Sequence, residues 1–369
     1  MGRRAHYGLL DGGTIGPTLA TEALADKVLD ARPIERQATH YRRLGAPISA
    51  STLGRAVGSL LDEIRPVADL ITERMKQSHR IQFDATGLRV LDSTAVMGTH
   101  RDTLWVLVGD GKWVRFAALE SGNADAIEEF MRGADAESFQ CDGTNTTNFV
   151  EKKWGRCRPG CHSHARRKFA EAVRRGDLRA MEPLPIYKQL FEIEKRASKQ
   201  HLDAHARLEL RLAESVPVLE RLRAWVTANA ASIEPKSALG EAVGYIQRQW
   251  MRLTLFLLDG NVEVTNNRSE RELRPWVLGQ HAWLFVGDQN NAERWAAGFS
   301  LVHTAIAHGL NPRAYLHAVV EKLVANHPRQ RLHELLPDAM LRARPDLADT
   351  VRTMSPTRTT VEKSAHAAA

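Results

Sequence analysis

From residue 80 the hydrophobic period of this chain changes from helical to strand-like, and helical spacing flanks the change on both sides. Residues 80–84, 88–91, 103–108 and 113–118 read as short strands separated by turn-forming Gly and Asp, which suggests an antiparallel meander. A helical stretch at 124–132, a strand at 138–141, a helix around 145–153 and a helix over 164–175 follow. A few strands followed by alternating helices and strands describe an α/β sheet covered by helices. Asp84 then falls at the end of the first strand and Asp142 at the end of the strand at 138–141, where open α/β sheets commonly bind ligands. This order points to a ribonuclease-H-like core, in which the two carboxylates would converge.

Before the meander, Leu19, Ala23, Leu24, Val28 and Leu29 fall on helical spacing, and a second helix starts after Pro33 and runs to Arg43. Ser49 to Thr52 offer an N-cap for a third helix bearing Leu53, Val57, Leu60, Leu61 and Ile64, with Pro66 starting another segment. Helix, Gly-containing turn and helix are compatible with a helix-turn-helix that would present Ser51, Thr52 and Arg55 to the major groove, although any helical hairpin gives the same pattern. Residues 177–258 look helical throughout, and a last strand is expected at 283–286 before two closing helices. The expected division is a flexible 1–17, a helix-turn-helix-like 18–78, a first part of the core at 79–176, a helical insertion at 177–260, the end of the core at 261–336 and a tail at 337–369 that is largely disordered, beyond about Asp346.

The net charge of +7 favours an anionic partner such as nucleic acid. No run approaches the roughly 18 apolar residues of a spanning helix, and the N-terminus lacks a signal-peptide core, so a cytoplasmic protein without a membrane partner is expected. The three cysteines, Cys141, Cys157 and Cys161, cannot build a disulfide framework and suit a reducing compartment. Spacing also disfavours zinc at Cys157, Cys161, His162 and His164, because structural sites pair two residues with a second, separate pair.

Asp84, Asp142 and Glu270 are candidates for a divalent-metal site. Two Mg2+ (or Mn2+) ions held roughly 3.5 to 4 Å apart by carboxylates can activate an attacking oxygen and stabilise a leaving one. His164, Asn266, Asn267 and Glu293 are candidate neighbours, with Glu293 a rival for the third carboxylate. Lys152, Lys153, Arg166, Arg167 and Lys168 form a basic stretch able to track a phosphate backbone, and Arg271 and Arg274 follow Glu270. Trp154 and Phe169 within that stretch could stack on bases or belong to the core.

The run Asn266-Asn267-Arg268-Ser269-Glu270-Arg271-Glu272-Leu273-Arg274-Pro275, followed by Trp283-Leu284-Phe285 and Glu293-Arg294, closely resembles the C-terminal signature of bacterial insertion-sequence-66-type transposases. Cys161-His162-Ser163-His164-Ala165-Arg166-Arg167-Lys168-Phe169 resembles a second element of that family. The resemblance implies a ribonuclease-H-like core with an acidic triad at Asp84, Asp142 and Glu270. It also implies Mg2+ or Mn2+ dependence, cleavage of double-stranded element ends, and strand transfer into target DNA. An oligomer on DNA and small companion proteins are expected with it. This chain departs from the family pattern at Ala85, Gly87, Thr144, Thr147 and His162. It also shows neither the upstream coiled coil nor the Cys-rich module of that family, hence the expectation of a shortened chain. The alternative reading is a remnant that binds DNA without cutting it.

Overall fold

A computed structural model describes residues 14–350, so most of the expected flexible N-terminus and the end of the expected tail lie outside the described residues. The fold is mixed α/β, with one four-stranded sheet and mostly helices. Three helices come first: α1 (Pro17–Asp30), α2 (Ile34–Arg43) and α3 (Ala50–Lys76). The side chain of Ser49 caps α3 by accepting from the Thr52 amide at 3.1 Å, as the Ser/Thr cluster suggests. Pro66 does not start a new segment. It sits inside the 27-residue α3, because Ile64, Val67, Ala68 and Ile71 on either side of it are fully buried and their packing outweighs one missing N–H.

The sheet runs β3-β2-β1-β4, built from β1 (Arg80–Leu91), β2 (Thr99–Gly109), β3 (Trp113–Leu119) and β4 (Ser138–Gln140). β1 and β2 form one uninterrupted antiparallel hairpin from Ile81↔Gly109 to Leu91↔Thr99. The two strands expected at 80–84 and 88–91 are therefore a single strand, and Asp84 lies in its interior opposite Val106 rather than at its end. Gly87 misleads as a turn signal: it stays in register opposite Thr103 with the Arg101 side chain lying over it. β4 pairs parallel to β1, and one further parallel bridge, Ser138↔Cys157, leads the chain along the outer side of β4.

Period-two alternation sends side chains to opposite faces of the sheet. Leu88, Val90, Leu104, Val106, Val108, Val114 and Phe116 join a core with α1, α3, α11 (Asn267–Trp283), α12 (Gln289–Ala307) and α13 (Pro312–Val324). Ile81, Phe83, Trp105, Leu107, Ala117 and Phe139 pack on the other face with Met75 and residues of α4 (Ala124–Phe130) and α5 (Phe149–Lys152). The open edge of β3 is closed by α12: Ser300 Oγ accepts from the Phe116 amide and Thr304 Oγ1 from the Val114 amide. Covering an edge in this way removes a template for unwanted pairing.

α6 (His162–Arg174), α7 (Pro183–Lys199), α9 (Val216–Asn229) and α10 (Ala238–Thr254) share a further buried cluster, and α8 (Ala204–Leu210) packs on it through partly buried Leu210. A π-helical turn at Arg211–Ser215 separates α8 from α9, whose second residue is Pro217, which has no amide to donate. Fully buried Arg211 is satisfied there by Glu194 at 2.7 Å and by the carbonyls of Phe256 and Asp259.

No strand forms at 283–286. α11 runs through Trp283, and Leu284 at φ +62° then turns the chain, leaving Leu284 and Phe285 exposed. The first part of the 337–369 tail is ordered. α14 (Pro337–Ala343) and the turn at Pro345–Leu347 are ordered because Met340 and Leu347 bury in the main core, and the Leu347 carbonyl accepts from the Asn311 amide. Among the described residues no helix is long and apolar enough to cross a membrane.

Candidate metal centre and its basic surround

Three elements bring the acidic candidates together. Asp84 projects from the middle of β1, Asp142 stands two residues beyond β4, and Glu270 lies in the first turn of α11. The carboxyl of Asp84 is pushed up to about 7, first by burial and then by the like charges of Asp142 and Glu270, against a hydrogen bond from the Ala85 amide and the charge of Arg167. Desolvated carboxylates that repel one another favour the protonated form, and a bound cation reverses that preference. Glu293 lies elsewhere, held by Arg65 of α3 at 2.6 Å.

Each acid is positioned by a buried partner. Fully buried Asn266 donates from Nδ2 to the carbonyl of Phe83, the residue before Asp84, and its amide donates to Cys161 Sγ at 3.2 Å. Ser269 Oγ donates to the Asn266 carbonyl, which locks the start of α11 against β1. Arg268 adds a second tether, donating to the carbonyl of Gly111 in the β2–β3 turn. Asn267 lines the groove beside Glu270 instead of reaching the sheet.

Arg158 does the same for the Asp142 loop. It is 1% exposed and donates to the carbonyls of Asp142 and Thr144 at 2.9 and 2.7 Å and to Thr147 Oγ1 at 2.9 Å. Tyr245 of α10 reaches the same loop, where a Cβ on Gly143 would come within 2.5 Å of its ring. These long-range supports carry no local sequence signal: Arg158 reads as one more basic residue, and Tyr245 as a core position in a helical stretch.

Glu270 faces α6. His164 Nδ1 is 3.4 Å and Arg167 3.2 Å from its carboxylate. Burial lowers the His164 pKa, while Glu270 and then Asp142 oppose that shift. Cys161, His164 and Glu270 each offer a ligand atom within 4.8 Å of the others. The Cys161 thiol is pushed up to about 11 by burial, which works against thiolate ligation there. His162, at the position where the family pattern has Trp, is fully buried between Tyr187 and Phe256. Its Nε2 donates to the Leu253 carbonyl at 2.9 Å, and burial pulls its pKa to about 4.

Beside Glu270 a groove of about 700 Å³ between α6 and α11 is lined by Arg166, Arg167, Arg174, Arg271 and Arg274. Lys168 turns the other way, with its ammonium 5.2 Å from the Tyr245 ring centroid. Lys152 and Lys153 are exposed on α5, and Lys153 is paired with Glu128 at 2.6 Å. Ser51, Thr52 and Arg55 sit apart on the first turns of α3, where Ser51 and Arg55 line a different groove. Phe169 is buried, and Trp154 packs on Phe139 and Phe149, so both serve the core.

Residues 12–294 match the family model described as the transposase IS66 family, and residues 300–337 match the IS66 C-terminal element. The chain is 32% identical over 349 residues to the uncharacterized protein y4hP of Sinorhizobium fredii, covering 88% of this chain and 62% of that relative. It is 28% identical over 344 residues to the uncharacterized protein y4jD of the same organism, covering 89% and 66%. The chain thus spans just under two thirds of the length of these curated relatives. By these two matches the chain belongs to the IS66 transposase family.

Proposed function

We propose that this chain carries the catalytic core of a DNA transposase, with a ribonuclease-H-like sheet and Asp84, Asp142 and Glu270 as its catalytic and metal-holding carboxylates. The observation that carries the reading is the crowding at Asp84, whose pKa is raised by burial together with the charges of two acids from distant parts of the chain. Oxygen donors on three acids that feel one another's charge suit Mg2+ or Mn2+. Such ions supply charge stabilisation for attacking and leaving oxygens in phosphoryl transfer. Strand order β3-β2-β1-β4, with β1 beside β4, supports the ribonuclease-H-like assignment.

The remaining work falls to the protein's own groups. Asn266 and Arg158 fix the backbone under the acids, and rigid positioning of this kind is where phosphoryl-transfer catalysis gains most. Arg166, Arg271 and Arg274 hold the DNA backbone along the groove that ends at Glu270, with Lys152, Lys153 and Lys168 as further DNA contacts outside that groove. The N-terminal helices with Ser51, Thr52 and Arg55 add a second DNA contact. The units at 18–78, 79–176, 177–260 and 261–336 are proposed on the same reading, as are a homo-oligomer on DNA, companion proteins and a cytoplasmic location.

A second reading is a DNA-binding protein that does not cut. Glu270 is already held by Arg167 and His164, so a cation there has to displace existing partners. Incubating the protein with DNA bearing its own element ends, with Mg2+, Mn2+ or EDTA, separates the two. The transposase reading expects metal-dependent cut and joined strands, lost by at least a hundredfold in Asp84→Ala, Asp142→Ala and Glu270→Ala and retained in Glu293→Gln. Binding without cutting supports the second reading, and cutting that survives Asp142→Ala overturns the site.

A further inference from the structure

A second groove, of about 770 Å³, opens on the side of the molecule where α2 and the start of α3 face the turn at 283–287. Its size falls within the roughly 300–1,000 Å³ of small-molecule sites. Along α3 the lining positions are Ser51, Gly54, Arg55, Gly58 and Ser59, which share one face at helical spacing. That face is recessed: a Cβ at Gly54 would meet only Ile34, at 3.9 Å, and one at Gly58 only the Arg294 guanidinium, at 3.7 Å. Helices that read a major groove do so through protruding side chains, whereas a helix face this bare leaves room for a flat object beside it.

The opposite wall is aromatic. Trp283, Phe285 and Trp295 line it, and Phe285 is 36% exposed. The positive φ of Leu284 turns the chain after α11, and the Gly287 carbonyl accepts from the Leu91 amide at 2.8 Å, which pins the turn to the end of β1. Lys27 stands in the wall with only 6% of its surface exposed. Its ammonium lies 3.9 Å from the Trp295 ring centroid and 4.8 Å from that of Trp283, and it has no ion-pair partner among the described residues. Burial lowers its pKa to about 8, with Glu35, also in the wall, opposing the shift, so the ammonium remains charged at neutral pH. Arg294 is neutralised by Asp62 at 2.6 Å, whereas exposed Arg55 has no carboxylate partner among the described residues.

We propose that this groove captures one unpaired nucleotide of a DNA strand, its base stacked at the Trp283 and Phe285 wall and its phosphate held by Lys27 and Arg55. The proposal rests on the DNA-binding reading above and changes what the start of α3 does, from reading a paired major groove to holding an extruded base. A buried cation with Glu35 in the same wall but no ion pair, aromatic faces and a glycine-lined gap together match a π-system that carries an anion. Base–aromatic stacking contributes about 1–3 kcal/mol per base and tolerates any sequence, which suits an enzyme that opens a duplex near the bond it cuts.

The test uses the full chain in EDTA, so that cutting plays no part. Three duplexes of one sequence are titrated: fully paired, with a single bulged 2-aminopurine, and with an abasic site at the bulge. The groove predicts about tenfold tighter binding of the bulged base than of the abasic bulge, with 2-aminopurine fluorescence quenched. Gly54→Leu fills the gap while placing a favourable helix former on α3, and Phe285→Ala removes the exposed ring. Both should bring the base-to-abasic ratio close to one, with circular dichroism melting confirming that each variant is folded. Equal binding of the base and abasic bulges, or a preference that survives Gly54→Leu, overturns the proposal and leaves the DNA-binding reading standing. Failure to bind any of the three duplexes overturns the DNA-binding reading as well.

Discussion

At the scale of single residues, Asp84 sets the energetics of the candidate site. Its folded pKa of about 7 lies above the ordinary 3.8, so the folded protein keeps the proton over a pH range in which the unfolded chain has lost it. The stability this contributes without metal is full below about pH 4 and is lost as pH rises through about 7. Asp84→Asn keeps the oxygen that accepts from the Ala85 amide and removes the charge. In EDTA at pH 8 it should raise stability by roughly 1–3 kcal/mol, part of the ceiling set by the shift, and by almost nothing at pH 4. Urea melts at the two pH values measure this, and a destabilised variant at pH 8 would show that Asp84 is not crowded in solution. The same proton opposes metal, so Mn2+ affinity should rise from pH 6 to pH 8 with proton release visible by calorimetry in two buffers. Residue type and setting made Asp84, Asp142 and Glu270 legible as candidates. Lys27, Arg158 and Tyr245 were not, because their roles arise from partners far away in sequence.

At the scale of elements, α11 is registered on the sheet by a few buried hydrogen bonds, with Asn266 at their centre. Asn266→Ala leaves the Ser269 hydroxyl and the Phe83 carbonyl each one partner short in a buried site. It should cost about 1–3 kcal/mol in urea denaturation and lower strand cutting with little change in DNA affinity. An unchanged stability would mean that the helix is held in place by other contacts. Elements with a clear period were legible in the sequence: α3 and the β2 and β3 strands follow their buried positions closely. The errors came where a local signal lost to packing. Gly87 and Pro66 are breakers by type, yet a continuous ladder and a continuous buried face carry the chain through both. At 283–286 a short apolar run cannot distinguish a strand from the end of a helix, and the positive φ of Leu284 decides it.

At the scale of the whole molecule, the sheet is packed on both faces and closed at the β3 edge, and the helices α6 to α10 build a further core that supplies Arg167 and His164 to Glu270. The basic groove between α6 and α11 gives the chain's positive charge a location. Arg271→Ala and Arg274→Ala should each weaken duplex binding whatever the sequence and lower the slope of log affinity against log salt by about one. A loss confined to one DNA sequence would contradict a role in backbone contact. The central claim is that three distant carboxylates make one cation site, and Mn2+ titration followed by electron paramagnetic resonance at pH 8 tests it most directly. Wild-type protein should bind Mn2+, and Asp84→Ala, Asp142→Ala and Glu270→Ala should each weaken binding by tenfold or more, with Glu293→Gln unchanged. Equal Mn2+ binding by wild type and all three triad variants would contradict the account.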